Sequence, residues 1–203
     1  MKVLLAGATG LVGGHVLKQL LDDPRCTQLV AVTRRPLPQT AAKLINPVMD
    51  FNALPTDAPW WQVDAAICAL GTTLGQAGSR EAFRIVDLHY PLTIARAVKA
   101  NGCGNFVLNS AMGANPTSPI FYNRTKGELE AQLRALGFAS LSVVRPGLIG
   151  GQRSTRRTGE HLASMALTAL APMLPRRLRI NPAERIAHVM VANALQPVPG
   201  ETV

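Results

Sequence analysis

The stretch VLLAGATGLVG, residues 3–13, joins an uninterrupted apolar run to three regularly spaced glycines. Such a run is typical of a central parallel strand that is covered on both faces. Glycine permits a tight turn after the strand, and the first turn of a following helix presents unpaired N–H groups to an anion. The stretch therefore predicts a strand–loop–helix unit that binds the pyrophosphate of a dinucleotide. The residues expected to contact the dinucleotide are Gly7, Thr9, Gly10, Leu11, Val12 and Gly13.

Beyond this unit, apolar strands alternate with amphipathic helices. Residues 11–21 carry apolar side chains at helical spacing, and longer helical stretches cover residues 79–102 and 121–137. Ser79 would cap the first of these stretches, and Pro91 predicts a kink or a change of turn within it. Five further strands are predicted in QLVAVTR, LINPVMD, VDAAICAL, NFVLNS and ASLSVVRP. We therefore predict an α/β fold, a Rossmann-like, doubly wound parallel sheet with helices on both faces.

The pattern changes after Gly147. A basic, glycine-containing loop is followed by a helix near residues 160–171, a proline-bracketed arginine segment and a helix near residues 182–195. Because this region is too short for an independent domain, the whole chain of 203 residues is expected to be one domain. Residues 147–181 are interpreted as a small C-terminal appendage that forms a lid or pocket on the substrate side.

Composition narrows the class of protein. Apolar residues make up 47% of the chain and charged residues 16%, which is typical of a globular protein. No apolar run reaches the roughly 18 residues that span a bilayer, and the N-terminus does not resemble a signal peptide, so a cytoplasmic protein is expected. The three cysteines and four histidines are scattered, which predicts neither a disulfide framework nor a metal site.

The chain is basic, with 21 lysines and arginines against 12 acidic residues and a net charge of +9. The excess is concentrated in two late segments, GGQRSTRRTGE and LPRRLRI. Neither segment has interleaved aromatic residues or a known DNA-binding motif, so nucleic-acid binding is not expected. Solvated surface arginines and an anionic ligand remain the two interpretations.

The end of the second strand indicates which dinucleotide is bound. Chains that bind NAD usually carry an acidic residue here for the adenosine ribose. This chain has Thr33, Arg34 and Arg35 in VTRRP, with no carboxylate nearby. Because a guanidinium group pairs with a phosphate, NADP(H) is predicted rather than NAD. The alternative is a pair of exposed loop arginines without a role in cofactor choice.

Further cofactor contacts are expected after the third and fourth strands. Asp50 would accept a hydrogen bond from the adenine amino group, and Phe51 would flank the ring. An acidic loop residue beside a core phenylalanine explains this pair nearly as well. After the fourth strand, the segment LGTTLG is expected to pass the ribose and pyrophosphate with Leu70, Gly71, Thr72 and Thr73.

The helix that starts at FYNRTK carries Tyr122 and Lys126, which lie one turn apart and therefore on the same face. In a chain with two tyrosines and five lysines this spacing is mildly improbable by chance, so the pair is a candidate functional site. An exposed helix pair is the alternative for these two residues. Ser110, at the end of the fifth strand, is a third candidate. The alternative for this residue is that its hydroxyl only caps a turn.

Taken in order, these motifs resemble those of the short-chain dehydrogenases/reductases. The resemblance rests on GATGLVG, on Ser110 in NSAMG, on Tyr122 and Lys126 in YNRTK, and on RPG at 145–147. The segments ICALGTTLGQAG, FRIVDLHY, FYNRTKGELEAQL and VVRPGLIGG resemble more closely the small atypical subgroup of oxidoreductase-like, Tat-interacting proteins and their bacterial relatives. The resemblance covers nearly the whole chain.

The resemblance implies a Ser-Tyr-Lys catalytic site. Tyr122 would be the proton donor, Lys126 would also hold the nicotinamide ribose, and Ser110 would orient the carbonyl oxygen. Pro146 and Gly147 would line the nicotinamide.

The chain departs from the family pattern at two positions. Asp87, in RIVDLHY, stands where many members have an asparagine that supports a water relay. Asn109 precedes Ser110, where a second serine is commoner.

We expect an NADPH-dependent reductase of a small carbonyl substrate. The arginines of the two late segments would favour a substrate that carries a negative charge. One alternative is an NADPH-binding redox sensor or regulator that contacts a partner protein. Another is an epimerase or isomerase that recycles its cofactor. The appendage is far shorter than in sugar-nucleotide epimerases, which argues against a nucleotide-sugar substrate. The family resemblance is also compatible with a homodimer formed through the long helices.

Overall fold

The structure, a computed structural model, describes residues 1–55, 57–147, 149–150 and 181–203. Within them the strands are β1 (Lys2–Ala6), β2 (Gln28–Val32), β3 (Leu44–Ile45), β4 (Ala65–Cys68), β5 (Asn105–Asn109), β6 (Ser140–Val144), β7 (Ile149–Gly150), β8 (Asn181–Pro182) and β9 (Gly200–Thr202). The helices are α1 (Leu11–Asp22), α2 (Leu74–Ala77), α3 (Arg80–Arg84), α4 (Tyr90–Ala100), α5 (Phe121–Ala135) and α6 (Ala183–Leu195). A 3-10 turn covers Pro59–Trp61, and a π-helical turn covers Ile85–His89.

Seven strands form one sheet in the order β3-β2-β1-β4-β5-β6-β9. Every neighbouring pair in this sheet is parallel. From β1 the chain adds β2 and β3 on one side of the sheet, and it then returns to place β4 on the other side of β1. The strand order therefore reverses between β1 and β4. Open α/β sheets bind ligands at this reversal, beyond the carboxyl ends of the strands. The predicted doubly wound parallel sheet is confirmed.

Helices cover both faces of the sheet, as β1 illustrates. Successive side chains of a strand point to opposite faces. Leu4 and Ala6 belong to the apolar cluster that includes residues of α4 and α5, whereas Val3 and Leu5 belong to the cluster that includes residues of α1 and α6. All four are fully buried. The expectation of a central strand covered on both faces is therefore confirmed.

Two glycines allow the β1–α1 turn to pack closely. Gly7 has a φ of +94°, and a Cβ there would lie 2.7 Å from the carbonyl carbon of Ala69, just after β4. A Cβ at Gly13 would overlap the carbonyl oxygen of Gly7. The first glycine therefore permits the turn, and the second permits α1 to rest directly on it.

The helix α3, the π-helical turn and α4 form one continuous run. Ser79 caps the run because its side chain accepts a backbone N–H from the first turn. Pro91 has no N–H to donate to the carbonyl of Asp87, four residues earlier, and the helix widens just before it. The N–H of Tyr90 bonds instead to the carbonyl of Ile85. The predicted change of turn at Pro91 is confirmed, and it occurs where Asp87 enters the interior.

The strands differ from the prediction in two ways: one predicted strand is shortened, and three short strands, β7, β8 and β9, were not predicted. The strand β9 was not predicted, because three residues carry no recognisable pattern; an ion pair of 2.7 Å between Glu201 and Arg134 of α5 helps to hold it. The predicted third strand is reduced to β3 and a single bridge between Thr33 and Val48. Pro47 interrupts it, since proline cannot donate to a ladder.

The predicted C-terminal helix is present as α6. The helix predicted near residues 160–171, and most of the predicted lid, fall in residues 151–180, outside the described part of the chain. The described residues on either side of that segment pair with each other, as β7 and β8. Among the described helices, none combines the length and apolar character that crossing a bilayer demands.

All three cysteines are free and buried. Burial raises the pKa of Cys68 to about 11, and it raises the pKa of Cys103 to about 11 as well. Both thiols are therefore protonated near neutral pH, and protonated thiols are poor nucleophiles.

Replacing Gly13 by alanine tests the packing of α1 on the turn. The added methyl group collides with the Gly7 carbonyl, so we expect Gly13→Ala to lower the free energy of unfolding by about 1–3 kcal/mol in urea titrations. Gly14→Ala is the matched control. A Cβ at Gly14 meets its nearest atom, the Ala8 carbonyl oxygen, at an ordinary 3.7 Å, so this variant should be neutral or more stable. Equal stability of the two variants would contradict the packing argument.

Candidate functional site

The glycine loop lies at the carboxyl edge of the sheet. Gly10 is exposed and precedes the first residue of α1, and no side chain in the described part of the chain caps this helix. Among the described residues, a Cβ at Gly10 would meet only the Gly7 carbonyl oxygen, at 3.3 Å, so these residues leave open space at Gly10 in front of the helix N-terminus. Of the other predicted contacts, Thr9 is exposed, Leu11 is half-buried and Val12 is buried. Open space and uncapped N–H groups fit a pyrophosphate.

The loop after β2 presents two exposed arginines. Arg34 and Arg35 take part in none of the ion pairs found within the described residues. Thr33 is buried, and its hydroxyl donates to the Arg35 carbonyl at 2.7 Å. Asn46, which the sequence analysis missed, donates to that hydroxyl at 2.8 Å and accepts from the N–H of Leu37 at 2.8 Å. This amide therefore shapes the loop while both guanidinium groups stay at the surface.

The predicted adenine contacts separate into one exposed and one buried residue. Asp50 is exposed, and one of its oxygens accepts the backbone and side-chain N–H groups of Asn52, both at 2.9 Å. Phe51 is 5% exposed and meets the ring of Tyr90 edge-on, with 5.5 Å between centroids. The ring of Phe51 therefore belongs to the core, which favours the packing interpretation for that residue.

The loop after β4 is tied to the π-helical turn. Leu70, Thr72 and Thr73 are half-buried, whereas Gly71 is exposed. The N–H of Thr72 donates to Oδ2 of Asp87 at 2.8 Å. The side chain of Thr73 caps α2 by accepting a backbone N–H. The predicted ribose and pyrophosphate contacts thus lie on a loop that a buried carboxylate holds from behind.

A buried ion pair joins the π-helical turn to α5. Lys126 Nζ lies 2.8 Å from Oδ1 of Asp87, and the two side chains are only 4% and 1% exposed. Burial lowers the pKa of Lys126, but its electrostatic interactions with Asp87 and Tyr122 outweigh burial and raise the pKa above its ordinary value. The lysine is therefore a buried ammonium group at neutral pH.

Tyr122 lies one turn before this ammonium. It is half-buried, and its ring contacts the ring of Phe83 with 5.7 Å between centroids. The first turns of α5 pack tightly beneath the preceding loop, because a Cβ at Gly127 would overlap the backbone of Asn115. The predicted Tyr122–Lys126 pair is thus partly sheltered, unlike a pair on an exposed helix face.

The hydroxyl of Ser110 is already used in a hydrogen bond within the protein. The residue is 4% exposed, and its hydroxyl donates to Oε1 of Glu130 at 2.5 Å. Glu130 also accepts from Arg145, whose Nε lies 3.0 Å from Oε1, and it pairs with Arg134 at 3.3 Å. A serine has one hydroxyl proton, so this bond uses the donor that would orient a substrate carbonyl. The predicted role of Ser110 requires the hydroxyl to turn away from Glu130.

The turn after β6 completes the edge. Pro146 is buried and Gly147 is half-buried, and the Pro146 carbonyl accepts the N–H of Met112 at 2.9 Å. This bond extends the pairing of β5 and β6 beyond the strands themselves. Oδ1 of Asn109, at the end of β5, is buried and has no hydrogen-bond partner among the described residues. The edge near the predicted nicotinamide contacts therefore retains an unused acceptor.

The parallel strands bring these parts together, because their carboxyl ends all meet at one edge. The glycine loop, the loop after β4 and the turn after β6 follow β1, β4 and β6, and α5 supplies the Tyr122–Lys126 pair. Sequence reasoning missed Glu130, and it missed the pairing of Asp87 with Lys126. Nothing in FYNRTKGELEAQL marks the second of its two glutamates, Glu130, as the partner of a serine 20 residues earlier.

Comparison with known proteins points to one group of relatives. No family model matches the chain. It is 34% identical over 203 residues to Protein HTATIP2 of Rattus norvegicus, covering 98% of this chain and 83% of that one. It is 36% identical over 177 residues to "Protein fmp52, mitochondrial" of Emericella nidulans, covering 83% and 75%. Because this relative is named mitochondrial, the cytoplasmic location expected from the sequence stays a prediction.

Solved structures share the fold at low sequence identity. A putative NAD-dependent epimerase/dehydratase from Bacillus halodurans has a TM-score of 0.72 and 20% identity, covering 100% of this chain and 92% of that one. MoeE5 in complex with UDP-glucuronic acid and NAD has a TM-score of 0.76 and 18% identity, covering 99% and 74%. The fold thus agrees with the sequence relatives: the chain belongs to the atypical short-chain dehydrogenase/reductase family, in the group that contains HTATIP2 and Fmp52.

Proposed function

We propose that the protein is an NADP-dependent oxidoreductase that reduces the carbonyl group of a small substrate. The observation that carries this proposal is the buried ammonium of Lys126, held at 2.8 Å by Asp87 one helical turn from Tyr122. A sheltered cation beside a phenol is suited to moving a proton, and it lies where the loops of the predicted cofactor site converge. A protein that only binds the cofactor has no need of such a pair.

The chemistry divides between the cofactor and the chain. NADPH, when bound, would supply the hydride to the carbonyl carbon. Tyr122 would give its proton to the carbonyl oxygen and be left as a phenolate. The Lys126 ammonium, one helical turn away, would favour that phenolate because opposite charges attract. In the oxidative direction the phenolate would take the proton back.

The chain's residues would hold the cofactor at both ends. The uncapped N-terminus of α1 and the open space at Gly10 suit the pyrophosphate. Arg34 and Arg35 would hold the adenosine 2′-phosphate, because their guanidinium groups are exposed beside the end of β2. Solved neighbours such as MoeE5 are named with NAD, so the arginines are what favours NADP in this chain. Asp50, Leu70, Gly71, Thr72, Thr73, Pro146 and Gly147 stay predicted contacts.

A second candidate is a regulatory protein that binds NADPH without turnover. The bond between Ser110 and Glu130 favours it, because a serine held in this way does not orient a substrate. Several solved neighbours are named epimerases, so epimerase chemistry with a recycled cofactor uses the same proposed site. Turnover of a carbonyl compound separates reduction from both alternatives. A small anionic substrate, a homodimer and a protein partner remain predictions.

Removing Arg34 and Arg35 tests the choice of cofactor. We expect the double variant Arg34→Ala/Arg35→Ala to bind NADPH at least about tenfold more weakly, while its affinity for NADH stays unchanged, because only NADPH carries the 2′-phosphate. Calorimetric titration with both nucleotides measures the two constants. Arg96→Ala removes an exposed arginine of α4 and serves as the control. Equal loss of affinity for both nucleotides would show that the arginines do not select NADP.

Replacing Tyr122 by phenylalanine tests the proton transfer. Turnover of NADPH with a panel of small aldehydes and ketones should fall by about 100- to 10,000-fold, the usual contribution of a general acid. The dissociation constant for NADPH should change by less than about threefold, because the phenol acts in the chemical step. Tyr90→Phe removes the hydroxyl of the other tyrosine, which donates to Asn52, and should keep most of the activity. Full turnover by Tyr122→Phe would refute the assignment.

A further inference from the structure

Asp87 is a buried carboxylate to which the proposed chemistry gives no role of its own. Its two oxygens have different partners. Oδ1 forms the ion pair with Lys126 at 2.8 Å, and Oδ2 accepts the N–H of Thr72 at 2.8 Å. One carboxylate thus contacts both the proposed catalytic cation on α5 and the proposed cofactor loop after β4.

The π-helical turn explains how a helix can aim a carboxylate at this place. Pro91 prevents the regular bond to the Asp87 carbonyl, and the turn over Ile85–His89 widens instead. Such widened turns occur frequently at functional sites. The turn leaves Asp87 almost fully buried at 1% exposure, so the position of its carboxylate is fixed by the surrounding packing.

Lys126 needs a counter-charge to remain an ammonium group. A buried lysine without a partner usually loses its proton, because the charged form is poorly solvated. The titratable groups that act on Lys126 are Asp87 from the π-helical turn, Tyr122 from α5 and Cys68 from β4. Burial raises the pKa of Cys68 to about 11, so this thiol carries no charge near neutral pH. Among the described residues, Asp87 is therefore the counter-charge.

We propose that Asp87 is a positioning residue for the reaction: its carboxylate keeps Lys126 charged and directed toward Tyr122, and it ties this cation to the cofactor loop through Thr72. An ammonium group has three donors, so pairing with Asp87 leaves others for the phenol and the cofactor. The inference rests on the proposed function, because the charge of Lys126 matters for turnover only if Tyr122 transfers the proton.

Asp87→Asn separates charge from shape. The amide oxygen can still accept the Thr72 N–H, but the negative charge beside Lys126 is lost. The chain has five lysines, so Cε-labelled lysine should give a few resolvable NMR signals in the cofactor-free protein. We expect the Lys126 signal of the unsubstituted protein to remain that of an ammonium group wherever the exposed lysines are still charged, and its titration midpoint in Asp87→Asn to fall by about 1–3 pH units.

The matched control is Glu128→Gln. Glu128 also lies on α5 and pairs with Arg84 of α3 at 2.6 Å, yet it is not among the groups that act on Lys126. This variant should leave the Lys126 titration where it is in the unsubstituted protein. A shift of equal size in Glu128→Gln would show a general effect of lost charge and would overturn the inference.

The pH dependence of kcat separates a positioning role of Asp87 from a purely structural one. In Asp87→Asn, kcat should change little at pH values where Lys126 is still charged and should fall about tenfold or more above the lowered midpoint, following the Lys126 titration. The KM for NADPH should change less than kcat. An unchanged Lys126 midpoint, or a loss of kcat that is the same at every pH, would refute the role of Asp87.

Two further comparisons cover a variant that does not fold and a failure of the proposed function. If Asp87→Asn does not fold, Lys126→Met is compared with Asp87→Asn/Lys126→Met by thermal unfolding. The single variant leaves a buried carboxylate unpaired, so the double variant should melt higher, and an equal or lower melting temperature would overturn the inference. If Tyr122→Phe retains turnover, the proposed function fails, while the NMR titration still decides whether Asp87 holds the charge of Lys126.

Discussion

The close approach of the β1–α1 turn to the end of β4 is the constraint on which the site depends. Gly7 adopts a left-handed φ at a point where any side chain would meet the backbone of Ala69, and Gly13 lets α1 rest on the turn. The N-terminus of α1 and the loop after β4 therefore meet at one edge. Because the neighbouring strands are parallel, the ends of β5 and β6 reach the same edge.

Two buried carboxylates organise the interior behind this edge. Asp87 pairs with Lys126, and Glu130 pairs with Arg145 and accepts the hydroxyl of Ser110. Burying a charge costs free energy unless a partner and hydrogen bonds compensate for it, and each carboxylate is paired with a cation and accepts at least one hydrogen bond. The Asp87 pair lies at the proposed site of chemistry, whereas the Glu130 cluster ties α5 to the ends of β5 and β6.

Local signals predicted most of the fold and part of the candidate site. The glycine spacing, the cap at Ser79 and the proline at 91 act on neighbouring residues, so the sequence alone contains their consequences. The strand β9 and the bond between Ser110 and Glu130 depend on residues far apart in the chain that only the folded sheet brings together. Asp87 was noticed as a departure from the family pattern, but its pairing with Lys126 joins two separate helical segments and has no local signature.

The central claim is that Tyr122 and Lys126 meet at the nicotinamide of a bound NADP(H). A crystal structure of the protein grown with NADP(H) tests it most directly. The nicotinamide ring is expected to face the Tyr122 hydroxyl, with Lys126 Nζ bonded to a hydroxyl of the adjoining ribose. A nucleotide whose nicotinamide points away from α5, or which binds at another edge of the sheet, would contradict it.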